Sequence, residues 1–280
     1  MTFIKNIYQV WLQGYDKMTE QKFIDNSNQW KNLNPDWNYN FIDGNDLENA
    51  CSQFSTECRE IYDSFDLLHL KVDFGRYVLL YLNGGIYVDM DMYIFRPLDS
   101  SKYIKNIIKD SEIFNDVIGI GKTNIEKIES LLYNHTSFYL NNGFMLSTPK
   151  NPILKRFIEK IILNSKKYNN PNTSSFNKIN LITGPKVVNN FFQKYINNCN
   201  DLGKNCKYKI NLIPYYVFEP CTINNNCKIT EDTVAIHNFE LSWVDDNYKF
   251  LIHFYYKIKP YLLTIIIIAI FLIIIWFRRK

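Results

Sequence analysis

The sequence predicts an α/β domain followed by a C-terminal membrane anchor, and three observations carry that expectation. Residues 4–12 are apolar, β-branched and aromatic, as a strand requires. Residues 66–82 read as a helix that passes through Asn83-Gly84-Gly85 into a second strand, residues 86–95. Tyr261 to Phe277 is a run of 17 residues without a charge. Strands that alternate with helices bury their apolar faces best as a layered α/β sandwich.

Each element has a local reason. Glycine tolerates the left-handed backbone at a helix C-terminus, so Gly84 and Gly85 end the helix at 66–82. Pro97 closes the strand at 86–95. Residues 151–163 read as a helix with Pro152 in a tolerated early position. Residues 164–180 are polar and contain Pro171, which predicts a loop, and residues 187–195 predict another helix. No internal repeat is present. One domain is expected over residues 1–250, a juxtamembrane linker over 251–260, and an anchor with a basic tail over 261–280.

At ~1.5 Å per residue the uncharged run spans about 26 Å, the short end for a hydrocarbon core of ~30 Å. Tyr261 and Trp276 stand where amphipathic rings favour the interface, and Arg278, Arg279 and Lys280 can snorkel beyond it. A buried core helix or strand is the alternative for such a run. Its length and place at the chain end favour a single-pass anchor in an ER/Golgi-type or other internal membrane. Lys257 and Lys259 balance the terminal basic residues, so the side of the membrane stays open. Two sequons, Asn134-His135-Thr136 and Asn172-Thr173-Ser174, are usable only in a lumenal domain. The first eight residues include Lys5 and Asn6, which interrupt any apolar leader core.

Composition narrows the function. The chain has 280 residues, 46% of them hydrophobic and 16% aromatic, enough for a sizeable core. Charged residues at 21% argue against wholesale disorder. The net charge of +4 is small, three of those charges sit at the extreme C-terminus, and no basic and aromatic residues interleave. A nucleic-acid partner is therefore not expected. The six cysteines fall into the couples Cys51/Cys58, Cys199/Cys206 and Cys221/Cys227. They are compatible with disulfides in an oxidising compartment and equally with free thiols, and none has the spacing of a structural zinc site.

The chemistry concentrates in Asp73-Phe74-Gly75-Arg76, Asn83-Gly84-Gly85 and Asp89-Met90-Asp91. On a strand, residues two apart share a side, so Asp89 and Asp91 project together while Met90 faces away. Two carboxylates so placed form a hard oxygen site for Mn²⁺ or Mg²⁺ and leave positions open for a diphosphate. The flanking residues are strongly apolar, and charges in such a setting need a partner. Asp73 and Arg76 share a helix face, either as a simple ion pair or as groups that grip sugar hydroxyls and phosphate oxygens.

This succession resembles the DxD glycosyltransferases typified by the yeast initiating α-1,6-mannosyltransferase and the capsular-polysaccharide sugar transferases. More distantly it resembles the glucosylating domains of clostridial toxins. Weaker similarities continue over roughly residues 4–245: Ile7-Tyr8-Gln9-Val10-Trp11, with Tyr8 where a His is common, then Asn141-Asn142-Gly143-Phe144, Thr183-Gly184-Pro185, and His237 followed by Ser242-Trp243. The resemblance implies a GT-A fold, a divalent cation and transfer with retention of anomeric configuration. It implies a UDP- or GDP-sugar donor and a glycan, glycolipid or glycoprotein acceptor. Carried to this sequence, Trp11 stacks on the donor base, Asp73 and Arg76 contact the donor sugar, and Asp89 touches ribose and metal. Asp91 ligates the metal, Asn142 or equally Asn141 lies near the sugar or metal shell, and His237 completes that shell or holds the diphosphate. Trp243 closes over the diphosphate through its indole N–H. Two rivals use the same residues: a metal-dependent phosphohydrolase of nucleotide sugars, and a catalytically silent, membrane-anchored interaction protein.

Overall fold

The computed structural model describes residues 3–113, 116–123, 139–201, 209–221, 227–238, 240, 246–258, 261 and 264. In chain order the first half contains β1 (Asn6–Val10), α1 (Gln21–Leu33), β2 (Asn38–Ile42), α2 (Gly44–Phe54), α3 (Thr56–Ser64), α4 (Leu68–Asn83), β3 (Gly85–Val88), β4 (Met92–Ile94) and α5 (Lys102–Ile113). The second half contains β5 (Val117–Thr123), β6 (Tyr139–Ser147), α6 (Pro152–Tyr168), α7 (Ser175–Ile182), α8 (Pro185–Asp201), β7 (Lys209–Ile213), α9 (Tyr215–Phe218), β8 (Ala235–His237) and α10 (Asp246–Ile258).

Six strands form one mixed sheet in the order β2-β1-β3-β6-β5-β7, and β4 pairs with β8 in a separate two-stranded sheet. β1 runs parallel to both β2 and β3, and β5 parallel to β7, while β6 is antiparallel to β3 and β5. Successive side chains leave opposite faces of a strand. Accordingly Tyr8 and Tyr87 enter one core with Phe74, Leu80 and Phe157, whereas Ile7 and Ile86 enter another with Trp30, Ile104 and Phe218. The sheet is thus buried on both faces, as parallel pairing usually demands.

The unit α4–β3 is the spine of the site. Nine residues of α4 are buried, including Asp73 to Leu80 without a break. Gly84 and Gly85 turn the chain with φ of 66° and 104°, and a Cβ on Gly85 would lie 2.7 Å from Asn6 O. Only glycine meets both demands.

Three expectations change. Residues 86–95 are not one strand: β3 ends at Val88, Asp89 to Asp91 form a turn with Met92 N–H donating to Asp89 O at 3.1 Å, and β4 joins the other sheet. Apolar residues continue through this break because both sheets bury them. Residues 164–180 are not simply a loop, because α6 continues to Tyr168 and α7 begins at Ser175. Asn164 and Ser165 are buried in the helix, their side chains donating to Leu181 O at 2.7 Å and Ile161 O at 2.8 Å. The expected single-pass membrane anchor is likewise corrected: no helix among the described residues is long and apolar enough to cross a membrane. Most of the uncharged run itself, 262–263 and 265–280, lies outside the described residues.

Among the cysteines, Cys221 and Cys227 form a disulfide, and Cys51 and Cys58 are free and buried. Cys206, and with it the remaining couple, lies outside the described residues, as does the sequon at 134–136.

Candidate active site

The Asp89–Asp91 turn is held by its backbone. Asn26 of α1 donates to Met90 O and to Met92 O at 2.8 Å each, and Trp30 Nε1 donates to Met92 O at 2.7 Å. Asp89 N donates to Gly143 O at 2.8 Å, and Asn238 N to Asp91 O at 3.0 Å. Buried carbonyls need such partners, and here they also fix the register of the turn. Met90 is buried with Met18 and Phe23, so its side chain serves packing.

The turn brings its two carboxylates to His237 at the end of β8. One ligand atom from each of Asp89, Asp91 and His237 lies within 4.8 Å of the others. Met92 is in register with His237 across β4 and β8, which is how a residue so distant in sequence arrives. His237 Nε2 stands 3.3 Å from Asp91 Oδ1, and Glu240 N donates to Asp91 Oδ2 at 3.0 Å. Burial alone would raise the Asp91 pKa, but the His237 charge and hydrogen bond, with the Glu240 N–H, hold it down at about 2. Burial would lower that of His237, yet Asp91 and Glu219 outweigh it and raise it well above the usual imidazole range.

Behind the turn lies a second buried network. Arg76 Nη2 pairs with Asp73 Oδ1 at 2.9 Å and Nη1 with Asp89 Oδ1 at 3.0 Å, so one guanidinium bridges helix and turn. Arg76 also donates to Asn142 O at 2.9 Å and lies 4.2 Å over the Tyr87 ring. Asn142 Nδ2 donates to Asp73 Oδ1 at 2.9 Å and to Tyr77 OH at 3.0 Å, and Thr183 Oγ1 donates to Asp73 Oδ2 at 3.0 Å. Even so, burial raises the Asp73 pKa, against the lowering by Arg76. Tyr87 OH donates to Asp89 Oδ1 at 2.7 Å. Asp89 is thus anchored through Oδ1. Its Oδ2 lies over Gly143, where a Cβ would approach to 2.7 Å.

The predicted residues are therefore assembled in two adjoining clusters: Asp73, Arg76 and Asn142 share Asp89 with the Asp91–His237 pair. Asn141 borders the other side, its Nδ2 being 3.4 Å from His237 Nδ1. Trp11 is half-buried against Phe23, with ring centroids 5.4 Å apart, and packs on the cluster that contains Met90. Its indole N–H is buried and has no hydrogen-bond partner among the described residues. Trp243 lies outside the described residues. Sequence reasoning missed Asn26, Tyr77, Gly143 and Glu219 as parts of the site. Thr183 and Gly143 carried a signal, since both stand in segments similar to the DxD enzymes.

Two carboxylates and an imidazole that converge in this way offer oxygen and nitrogen donors to a cation. The site fits a divalent cation.

Residues 20–114 match the glycosyltransferase sugar-binding region containing a DXD motif. The uncharacterized glycosyltransferase L373 of Acanthamoeba polyphaga mimivirus is 28% identical over 242 residues, 85% of this chain and 82% of that protein. The initiation-specific alpha-1,6-mannosyltransferase of Saccharomyces cerevisiae is 30% identical over 114 residues, 37% of this chain and 24% of the yeast protein. Among solved structures, the catalytic domain of alpha-toxin from Clostridium novyi aligns with 92% of this chain and 83% of its own, at 9% identity and a TM-score of 0.46. The match over residues 20–114 takes in Asp73, Arg76 and the whole Asp89–Asp91 turn, so over that segment the chain is similar to the glycosyltransferases that contain a DXD motif.

Proposed function

We propose that the chain transfers a hexose-type sugar, with retention of anomeric configuration, from a UDP- or GDP-sugar to a glycan, glycolipid or glycoprotein acceptor. The observation that carries the reading is the convergence of Asp89, Asp91 and His237 on one point, with the buried Asp73–Arg76–Asn142 network directly behind it. Asp89, Asp91 and His237 would hold Mn²⁺ or Mg²⁺. Bound there, the cation supplies Lewis acidity that neutralises charge on the departing nucleoside diphosphate.

The chain's own residues do the positioning. Arg76 holds Asp89 through Oδ1 and keeps positive charge at the floor of the site, where the donor sugar rests against Asp73 and Arg76. Asn142 locks Asp73 in place, and half-buried Trp11 offers a ring face to the donor base. Such catalysis is mainly orientation and preorganised electrostatics. Retention is the route implied by the resemblance to the DxD enzymes.

A screen of UDP- and GDP-sugars with Mn²⁺ tests the reading. Donor consumption is expected to require the metal and to rise with a sugar-bearing acceptor, and NMR of the product is expected to show the donor's anomeric configuration. No Mn²⁺-dependent binding of any nucleotide sugar would refute it. Hydrolysis indifferent to every acceptor would favour a phosphohydrolase.

A further inference from the structure

Glu219 is a carboxylate 3% exposed, and its Oε1 lies 3.0 Å from His237 Nδ1. The other nitrogen of the same ring, Nε2, faces Asp91 Oδ1 at 3.3 Å. The 3.0 Å separation suits an Nδ1–H that donates to the Glu219 carboxylate oxygen. Asn141 Nδ2, 3.4 Å from Nδ1, is a donor and cannot take that proton's place as a partner. Both ring nitrogens thus face carboxylates, and when Nε2 is given to a cation the ring's one remaining proton stays on Nδ1, against Glu219.

The backbone around Glu219 is unusually constrained. Its N–H caps α9 by donating to Tyr215 O at 2.6 Å. Phe218 is stacked on Phe144, with ring centroids 3.6 Å apart and planes at 16°. Cys221 is tied to Cys227, and Lys228 N donates to Pro220 O at 2.9 Å. Glu219 thus stands between an aromatic stack at Phe218 and a disulfide at Cys221.

We infer that Glu219 is a positioning residue for the metal centre, fixing His237 in the Nδ1–H tautomer and in the ring orientation that presents Nε2 to a divalent cation shared with Asp89 and Asp91. The inference rests on the reading of those three residues as metal ligands. Carboxylates that orient a ligating histidine in this way raise its affinity for metal through geometry and basicity.

Mn²⁺ binding to the full chain, without donor, tests this by electron paramagnetic resonance of the free ion. E219A is expected to weaken Mn²⁺ binding by about 10- to 100-fold. E219Q, whose amide oxygen still accepts from Nδ1–H, is expected to recover most of that loss. In ¹⁵N-histidine NMR of the wild type with Mg²⁺, His237 is expected to carry its proton on Nδ1. An unchanged Mn²⁺ affinity in E219A overturns the inference, as does equal weakness in E219Q and E219A. A proton on Nε2 overturns it too, and that readout needs no variant to fold. Should the wild type itself bind no Mn²⁺, the metal centre falls and the inference with it. Tight binding by both wild type and E219A removes the inference alone.

Discussion

Replacing Gly143 by alanine places one methyl group against the carboxylate oxygen proposed to meet the metal. The new Cβ would lie 2.7 Å from Asp89 Oδ2, 3.1 Å from Met92 Cε and 3.3 Å from Asn141 Oδ1. Ordinary contact begins at 3.4 Å, so Oδ2 must retreat by about 0.7 Å. Pivoting about the carboxylate is resisted because Oδ1 is tied to Tyr87 OH at 2.7 Å and to Arg76 at 3.0 Å. Backbone retreat is resisted by the hydrogen bond from Asp89 N to Gly143 O at 2.8 Å. Overpacking of this kind costs ~1–3 kcal/mol of stability. A catalytic group displaced by a sizeable fraction of an ångström loses on the order of 10²-fold in rate, about 2.7 kcal/mol of barrier. Gly143→Ala is therefore expected to fold, to lose ~1–3 kcal/mol in urea melts, and to lose roughly 10²-fold in Mn²⁺-dependent kcat/KM. Steady-state kinetics beside Mn²⁺ titration and urea melts measures all three. Wild-type turnover and wild-type Mn²⁺ affinity in a folded Gly143→Ala would refute the placement of the metal beside Asp89 Oδ2.

Three further outcomes are expected. Asp91→Asn should lower Mn²⁺-dependent turnover by at least roughly 10²–10³-fold while circular dichroism stays unchanged, and near-normal turnover would remove Asp91 from the metal set. Arg76→Ala strands buried Asp73 and partly buried Asp89 without their shared cation, so urea melts should show a loss of about 3–5 kcal/mol. Arg76→Lys should recover only part of it, because an ammonium cannot bridge both carboxylates and Asn142 O as the planar fork does. Burial pushes the Tyr8 and Tyr39 phenols up to about 12, so between pH 10 and 12 the unfolded chain gives up protons that the folded chain keeps. Stability is expected to be unaffected below pH 10 and to fall above it, by up to ~2.7 kcal/mol per tyrosine. Tyr8→Phe with Tyr39→Phe should flatten that decline in pH-dependent urea melts.

The α4–β3 unit is legible in the sequence because its punctuation is physical: two glycines at positive φ mark the turn, and Asp73 and Arg76 sit one helical turn apart. Asp89 and Asp91 are legible as a pair, although they meet on a turn between two sheets and not along one strand. That break leaves no trace in hydropathy, since Val88, Met92 and Ile94 are all buried on either side of it. Asn26, Tyr77 and Glu219 are illegible for another reason. Tyr77 reads as one more large residue of a buried helix, and Asn26 acts on carbonyls 64 and 66 residues away. Glu219 acquires its role only when β8 delivers His237 beside it. Local patterns report what a residue prefers, whereas these roles depend on what the topology sets against it.

The pairing of β4 with β8 also has a consequence for biosynthesis. Asp91 leaves the ribosome 146 residues before His237, and among the described residues the strand that carries His237 pairs with β4 alone. At translation rates of ~5–20 residues per second, the nascent chain therefore spends roughly 7–30 s with its two aspartates made and their third companion still unmade. The main sheet can take shape in that interval, but the cluster of Asp89, Asp91 and His237 is completed only once β8 has been made.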